Sequence, residues 1–178
     1  MNLFVLDKNP TIAAQYNCDT HCNKIVLEIA QMLANCFDES VLKDAPPTQK
    51  GTPRKHSYFN HPVSIWMRKS LSNMFWSIEH ACALESERFH RGYKNPHFSM
   101  TFIKWASENF DKSNIKDGEL TEFAVAIADD KLCRKVDGFD NMSVVDKYRQ
   151  YYIHDKNSFC KWTNREVPEW FCLCSSVG

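Results

Sequence analysis

The sequence has no apolar run approaching the roughly 18 residues that a helix needs to cross a bilayer. Its opening, Met1-Asn2-Leu3-Phe4-Val5-Leu6-Asp7, lacks the basic stretch that precedes the apolar part of a secretory leader. Neither a membrane partner nor export is expected, which points to the cytoplasm. Glycine is scarce, with 5 residues in 178, too few for a barrel or sandwich joined by many tight turns. Net charge is also missing: 22 basic and 22 acidic side chains cancel, which excludes a charge-driven tail protein. The eight cysteines never repeat a C-x-x-C spacing, and without an export signal they are expected as reduced thiols. What is present is an ordinary globular balance, 43% hydrophobic and 25% charged, in a chain long enough for one domain with a buried core.

The apolar pattern predicts an all-α fold. Leu3 to Leu6 form a short extended or loop segment, and Thr11 can cap a first helical turn after Pro10. From about Asn17 to Phe37, Cys22, Ile25, Val26, Ile29, Leu33, Cys36 and Phe37 recur at helical spacing. Residues 38–60 hold Pro46, Pro47, Gly51 and Pro53 and predict a long loop. Pro62 suits the first position of a second long helix running to about Arg91, where Gly92 closes it. Further helices are expected over about 98–110 and 143–161, with a helical or mixed stretch at 119–135. Pro168, Trp170 and Phe171 are expected to pack the tail onto the body. The architecture read from the sequence is a single compact multi-helix domain over residues 1–178, with a long basic loop between its first two long helices.

At 100° per residue, Asn17, His21, Lys24, Glu28, Gln31 and Asn35 fall within an arc of about 80° on the first long helix. Most of the remaining circle is apolar, so the stripe is expected to face a cleft. An imidazole, an ammonium, a carboxylate and amides can hold a base or sugar while Glu28 works as acid or base. The plain alternative is a solvated stripe with a routine Lys24–Glu28 pair.

Charge segregation is the second signal. Between Ala45 and Ile78 there is no Asp or Glu, while Lys50, Arg54, Lys55, Arg68 and Lys69 stand among His56, Tyr58, Phe59, His61, Trp66 and Trp76. Basic groups interleaved with aromatics suit phosphate contacts and base stacking. The alternative is that Trp66 and Trp76 are core residues and the lysines solvate the loop. Asn60-His61-Pro62 places His61 at a helix mouth, with Asn60 as the expected cap. In Tyr148-Arg149-Gln150-Tyr151-Tyr152 the tyrosines stand at core-like spacing, so packing explains them better.

The opening M-N-x-F-x-L-D, followed by Cys18-Asp19, His21, Lys24, Glu28 and Gln31, resembles a group of uncharacterised phage-type proteins. Asn60-His61-Pro62 with Trp66, Lys161-Trp162-Thr163 and Val167-Pro168-Glu169-Trp170-Phe171 extend the likeness over most of the chain. More distantly, Asp19, His21 and Glu28 are similar in spacing to the pyrimidine-dimer DNA glycosylases of the phage endonuclease V type, which are small helical proteins. That resemblance implies a DNA-repair hydrolase in which the amine of the processed N-terminus forms a Schiff base with the sugar and the glutamate assists. Here Asn2 follows Met1, the net charge is zero, and Gln31 stands where the family has an arginine.

Three functions compete. The first is an enzyme on DNA or a nucleotide, N-glycosylase-like, with Glu28 as acid/base, His21 orienting, and the N-terminal amine or Lys24 as nucleophile. A Lys24 nucleophile would have to lose a proton that Glu28 helps to retain. Asn17, Gln31, Arg54, Lys55, His56, Asn60, His61, Trp66, Arg68 and Lys69 would bind the substrate, and no cofactor or metal is called for. The second is a non-catalytic, anti-defence phage protein that sequesters a nucleotide or nucleotide-derived immune signal in the host cytoplasm. The third is a zinc-stabilised module using Cys18, His21 and Cys22, with the Cys172-x-Cys174 pair as the other half of a composite site, although Cys22 and Cys36 also fit an apolar helix face.

Overall fold

Pro10 has no N–H to leave unsatisfied, and the chain turns there into α1 (Pro10–Tyr16). The Asn9 carboxamide, not Thr11, accepts the first free N–H groups, those of Thr11 and Ile12. Thr11 lies inside the first turn and is itself one of the capped residues. Helices are the only regular structure among residues 1–172, the part that this computed structural model describes.

The long helix expected from Asn17 begins two residues later, as α2 (Asp19–Leu33), and tightens into a 3-10 turn over Ala34–Cys36. Asn17 is excluded because its N–H turns back onto the Ala13 and Ala14 carbonyls at the end of α1. A single turn, α3 (Glu39–Leu42), follows, and residues 43–61 contain no helix.

The helix expected from Pro62 to Arg91 is two helices, α4 (Pro62–Met67) and α5 (Leu71–His90). The break has a local cause. Ser70 is extended, with φ −154° and ψ 157°, and its hydroxyl accepts the Asn73 N–H at 3.2 Å to start α5 afresh. Asn73 then donates to the last carbonyls of α4 through Trp66, at 2.7 Å.

After α6 (Met100–Glu108) the chain runs from 113 to 128 without a helix, where a helical or mixed stretch was expected from 119. Its backbone groups are taken by side chains instead. Asn73 Oδ1 accepts the Thr121 N–H, and the Tyr148 hydroxyl accepts from Ala126 N–H and donates to the Ala124 carbonyl. Two 3-10 turns, Leu132–Lys135 and Phe139–Asn141, lead to α7 (Val144–Asp155), which ends short of the expected 161, and to a last turn, α8 (Glu169–Cys172).

α5 packs along α1 and α2, and the buried core spreads from these to α6 and α7. The segment Leu3-Phe4-Val5-Leu6 lies inside that core. Side chains hold its backbone where a sheet would otherwise do so: the Leu3 carbonyl meets His80 and the Leu6 carbonyl accepts from Arg149. At the other end of α5, buried Arg91 bonds Asp19, Glu87 and the Gln15 carbonyl, and Arg165 joins through Glu87. Trp170 and Phe171 pack on Tyr16, Tyr152 and Trp162 as expected of the tail. No helix among the described residues is long and apolar enough to cross a membrane.

Candidate functional site

The polar stripe on α2 divides by depth. At its start, Asn17 and His21 turn into the core. The Tyr152 hydroxyl donates to Asn17 Oδ1 at 2.8 Å, so His21 Nδ1 donates to that hydroxyl in turn. The His21 ring is stacked on Phe4 at 4.2 Å and met edge-on by Phe159. Its ring is thus enclosed by Phe4, Tyr152 and Phe159, and it is 3% exposed.

One turn on, Lys24 and Glu28 line a cleft of about 450 Å³, together with Met1, whose amine is the other nucleophile candidate, and with Asn2, Phe4, His61, Tyr151, Lys156 and residues 125–128. Glu28 is nearly buried. Its Oε2 accepts the Asn2 N–H at 2.7 Å, and its Oε1 lies 3.6 Å from the Nζ of exposed Lys24. His61, not the expected Asn60, caps α4: its Nδ1 accepts the Val63 N–H at 3.3 Å. The neutral ring therefore carries its proton on Nε2. Burial and, after it, the nearby N-terminal ammonium push the His61 pKa down, and the Glu28 charge offsets only part of this.

Gln31 faces a second cleft, of about 500 Å³, with Arg54, Lys55 and His56. Two of these are occupied by the chain's own carbonyls. Arg54 lies over the Phe102 ring and donates to the Pro46 carbonyl at 2.9 Å, and His56 Nε2 sits 2.7 Å from the Phe37 carbonyl. Asn35, at the end of the stripe, clamps both backbone groups of Ser57. Of the remaining candidates, Trp66 is a core residue against Trp76 and Phe123, and Arg68 donates to the Phe59 carbonyl at 2.8 Å. Asn60, Lys55 and Lys69 are exposed.

The structure thus gathers Lys24, Glu28 and His61 in one place, and Gln31, Arg54, Lys55 and His56 in another. Residues that the sequence did not nominate complete the first cleft. Asn2 folds the opening turn by accepting the Leu3 and Phe4 N–H groups while donating to the Ala126 carbonyl, and Phe4 takes a positive φ of 45° there. The M-N-x-F opening was the available signal for Asn2 and Phe4. Tyr151 and Lys156 carried none beyond the aromatic-basic character of α7.

The Cys18–His21–Cys22 zinc cluster does not form. Cys22 Sγ turns toward the Asn17 and Ala14 carbonyls, and burial raises its pKa to about 12. Cys18 instead pairs with Cys160, whose thiol hydrogen bond lowers the Cys18 pKa, with His21 adding to the effect. Among the described residues no three His, Cys, Asp or Glu side chains are placed to hold a metal ion. Cys174 lies outside the described residues.

No protein-family model, curated protein or solved structure matches this chain. Of the Asp19, His21 and Glu28 spacing, only Glu28 faces the cleft. Asp19 is held by Arg91 and by the Thr163 N–H and hydroxyl, and His21 is enclosed by aromatic rings.

Proposed function

We propose that the protein acts on a nucleotide unit, free or within a nucleic acid, in the manner of an N-glycosylase, with Glu28 as its acid/base group. The observation that carries this is a nearly buried carboxylate in a cleft of nucleotide-like volume, ringed by Lys24, His61 and Lys156 and walled by Phe4 and Tyr151. In such a cleft the lysines meet phosphate and the rings meet the base. Cleavage breaks the bond from the sugar C1′ to the base nitrogen, and the base leaves with the electron pair. Water adds to C1′, with Glu28 taking its proton, and His61 Nε2–H is a donor for the departing base. Lys24, exposed and paired with Glu28, suits a phosphate contact better than a nucleophile. Arg54 and Arg68 are committed to backbone carbonyls, which favours a nucleotide-sized ligand over a long duplex grip. The described cysteines are all free thiols, which goes with a cytoplasmic site of action.

A specific observation favours sequestration as the second reading: both Glu28 oxygens already have partners within the chain. Glu28→Gln separates the two, since a glutamine oxygen can still accept the Asn2 N–H. Base release is measured chromatographically from nucleoside monophosphates and from oligonucleotides bearing damaged bases, and binding of the monophosphates by calorimetry. Glycosylase action predicts release that falls at least about 100-fold in E28Q, with binding kept within a few-fold. Tight binding in both proteins with release in neither moves the conclusion to sequestration. Neither binding nor release overturns both.

A further inference from the structure

Beside this cleft stands a feature that neither the fold nor Glu28 requires. Tyr58 is 63% exposed at the tip of the segment between α3 and α4, and its neighbour Phe59 is 43% exposed. Tyr58 also has a left-handed backbone, φ 51°, which an aromatic side chain adopts only under constraint. The constraint is visible on every side. Asn35 clamps Ser57 at 2.8 and 3.1 Å, the His61 N–H bonds the Tyr58 carbonyl at 3.0 Å, and the Arg68 guanidinium lies 3.6 Å over the Phe59 ring while bonding its carbonyl. Asn35, His61 and Arg68 thus hold a strained tip whose ring is exposed.

The segment that carries the tip has charge of one sign. No acidic residue occurs from Ala45 to Ile78, and Lys50, Lys55 and Lys69 are exposed. The turn closed by the Tyr58–His61 hydrogen bond keeps the Cα atoms of those two residues within about 7 Å, and His61 lines the Glu28 cleft. An exposed ring beside lysines and one short step from a nucleotide-sized cleft matches a polyanion with unstacked bases.

We infer that Tyr58 is a stacking platform for an unpaired base in a single-stranded nucleic acid, whose backbone passes Lys55 and Lys69 while a neighbouring nucleotide enters the Glu28 cleft. This rests on the reading of that cleft given above and narrows its substrate to a single strand. The Arg68 contacts to Phe59 fix the turn that carries the platform, and Lys55 and Lys69 supply the phosphate contacts.

The test is fluorescence anisotropy of a labelled mixed-sequence octanucleotide, as a single strand and as a hairpin duplex, with the wild type, Y58F, Y58A, K55A and E28Q, each checked for folding by circular dichroism. The expected result is tighter binding of the single strand than of the duplex, unchanged in Y58F and weakened roughly 5- to 100-fold in Y58A. K55A should reduce the slope of log affinity against log salt by about 0.7, whereas Y58A leaves that slope alone. Y58A should also leave base release from free nucleoside monophosphates unchanged. Equal single-strand affinity in Y58A and the wild type overturns the platform, as does failure of the wild type to bind the strand. Strand binding that depends on Tyr58, with no base release from any substrate, keeps the platform and overturns the catalytic role of Glu28.

Discussion

His80 shows how far a single side chain is governed by depth. It is wholly buried on α5, with Nδ1 3.0 Å from the Pro10 carbonyl and Nε2 3.2 Å from the Leu3 carbonyl, and Trp76 stacks on its ring. A neutral imidazole carries one N–H and satisfies only one of these acceptors. Burial nevertheless outweighs the two carbonyls and lowers the His80 pKa to about 4. The folded state therefore binds this proton less readily than the unfolded chain, whose imidazole titrates near 6.5. The stabilising contribution is complete above about pH 6.5 and is lost as the pH falls toward 4, by up to roughly 3 kcal/mol. Urea unfolding followed across that window should show this slope, and His80→Gln should remove most of it. A variant with the same slope as the wild type would assign the effect to other groups.

The same dependence on depth explains what the sequence did and did not disclose at the candidate site. Helical periodicity placed Asn17, His21, Lys24, Glu28, Gln31 and Asn35 on one face of α2, and the structure keeps them on that helix or at its margins. It could not say that Asn17 and His21 are sealed by Tyr152 and Phe4 while Glu28 opens into a cleft. Tyr152 lies 131 positions from His21, and the opening segment that carries Phe4 has no period to show that it turns inward. Arg54 and Arg68 had the right chemistry for phosphate, but a guanidinium serves a backbone carbonyl equally well.

Between elements, the decisive contacts are few and buried. α5 reaches α1 and α2 through Arg91, whose guanidinium, about 1% exposed, meets Asp19, Glu87 and the Gln15 carbonyl. Replacing it with alanine leaves Glu87 and Asp19 partly uncompensated, at a cost of about 3 kcal/mol. For a chain of this size that lowers the Tm by roughly 6–12 °C in a thermal melt. Lys104→Ala provides the contrast. Its pair with Glu108 is exposed on both sides and should change the Tm by little more than 1 °C. A drop for R91A as small as that for K104A would show that the network contributes nothing net. The breaks between elements were harder to foresee than the elements. Arg68-Lys69-Ser70 contains neither proline nor glycine, and only the Ser70 cap, with Asn73 closing the preceding helix, splits α4 from α5. The run from Phe123 to Ala128 is apolar enough for a helix, yet its backbone is held by Asn2, Arg134 and Tyr148.

At the scale of the molecule, the all-helical architecture was legible because α2, α5, α6 and α7 each carry a long apolar stripe. The central position of Leu3-Phe4-Val5-Leu6 was not, because four apolar residues have no period that distinguishes a core segment from a surface one. Phe4 meets His21, Tyr148, Tyr151 and Tyr152, and Arg149 bonds the Leu6 carbonyl from 143 positions later in the chain. The ribosome makes this segment long before its walls, since 143 positions separate Leu6 from Arg149. Until α7 is made, these four residues stay greasy and unaccompanied. Their enclosure waits on contacts between distant parts of the chain, and the interval before it is when a nascent copy most needs shielding from its neighbours.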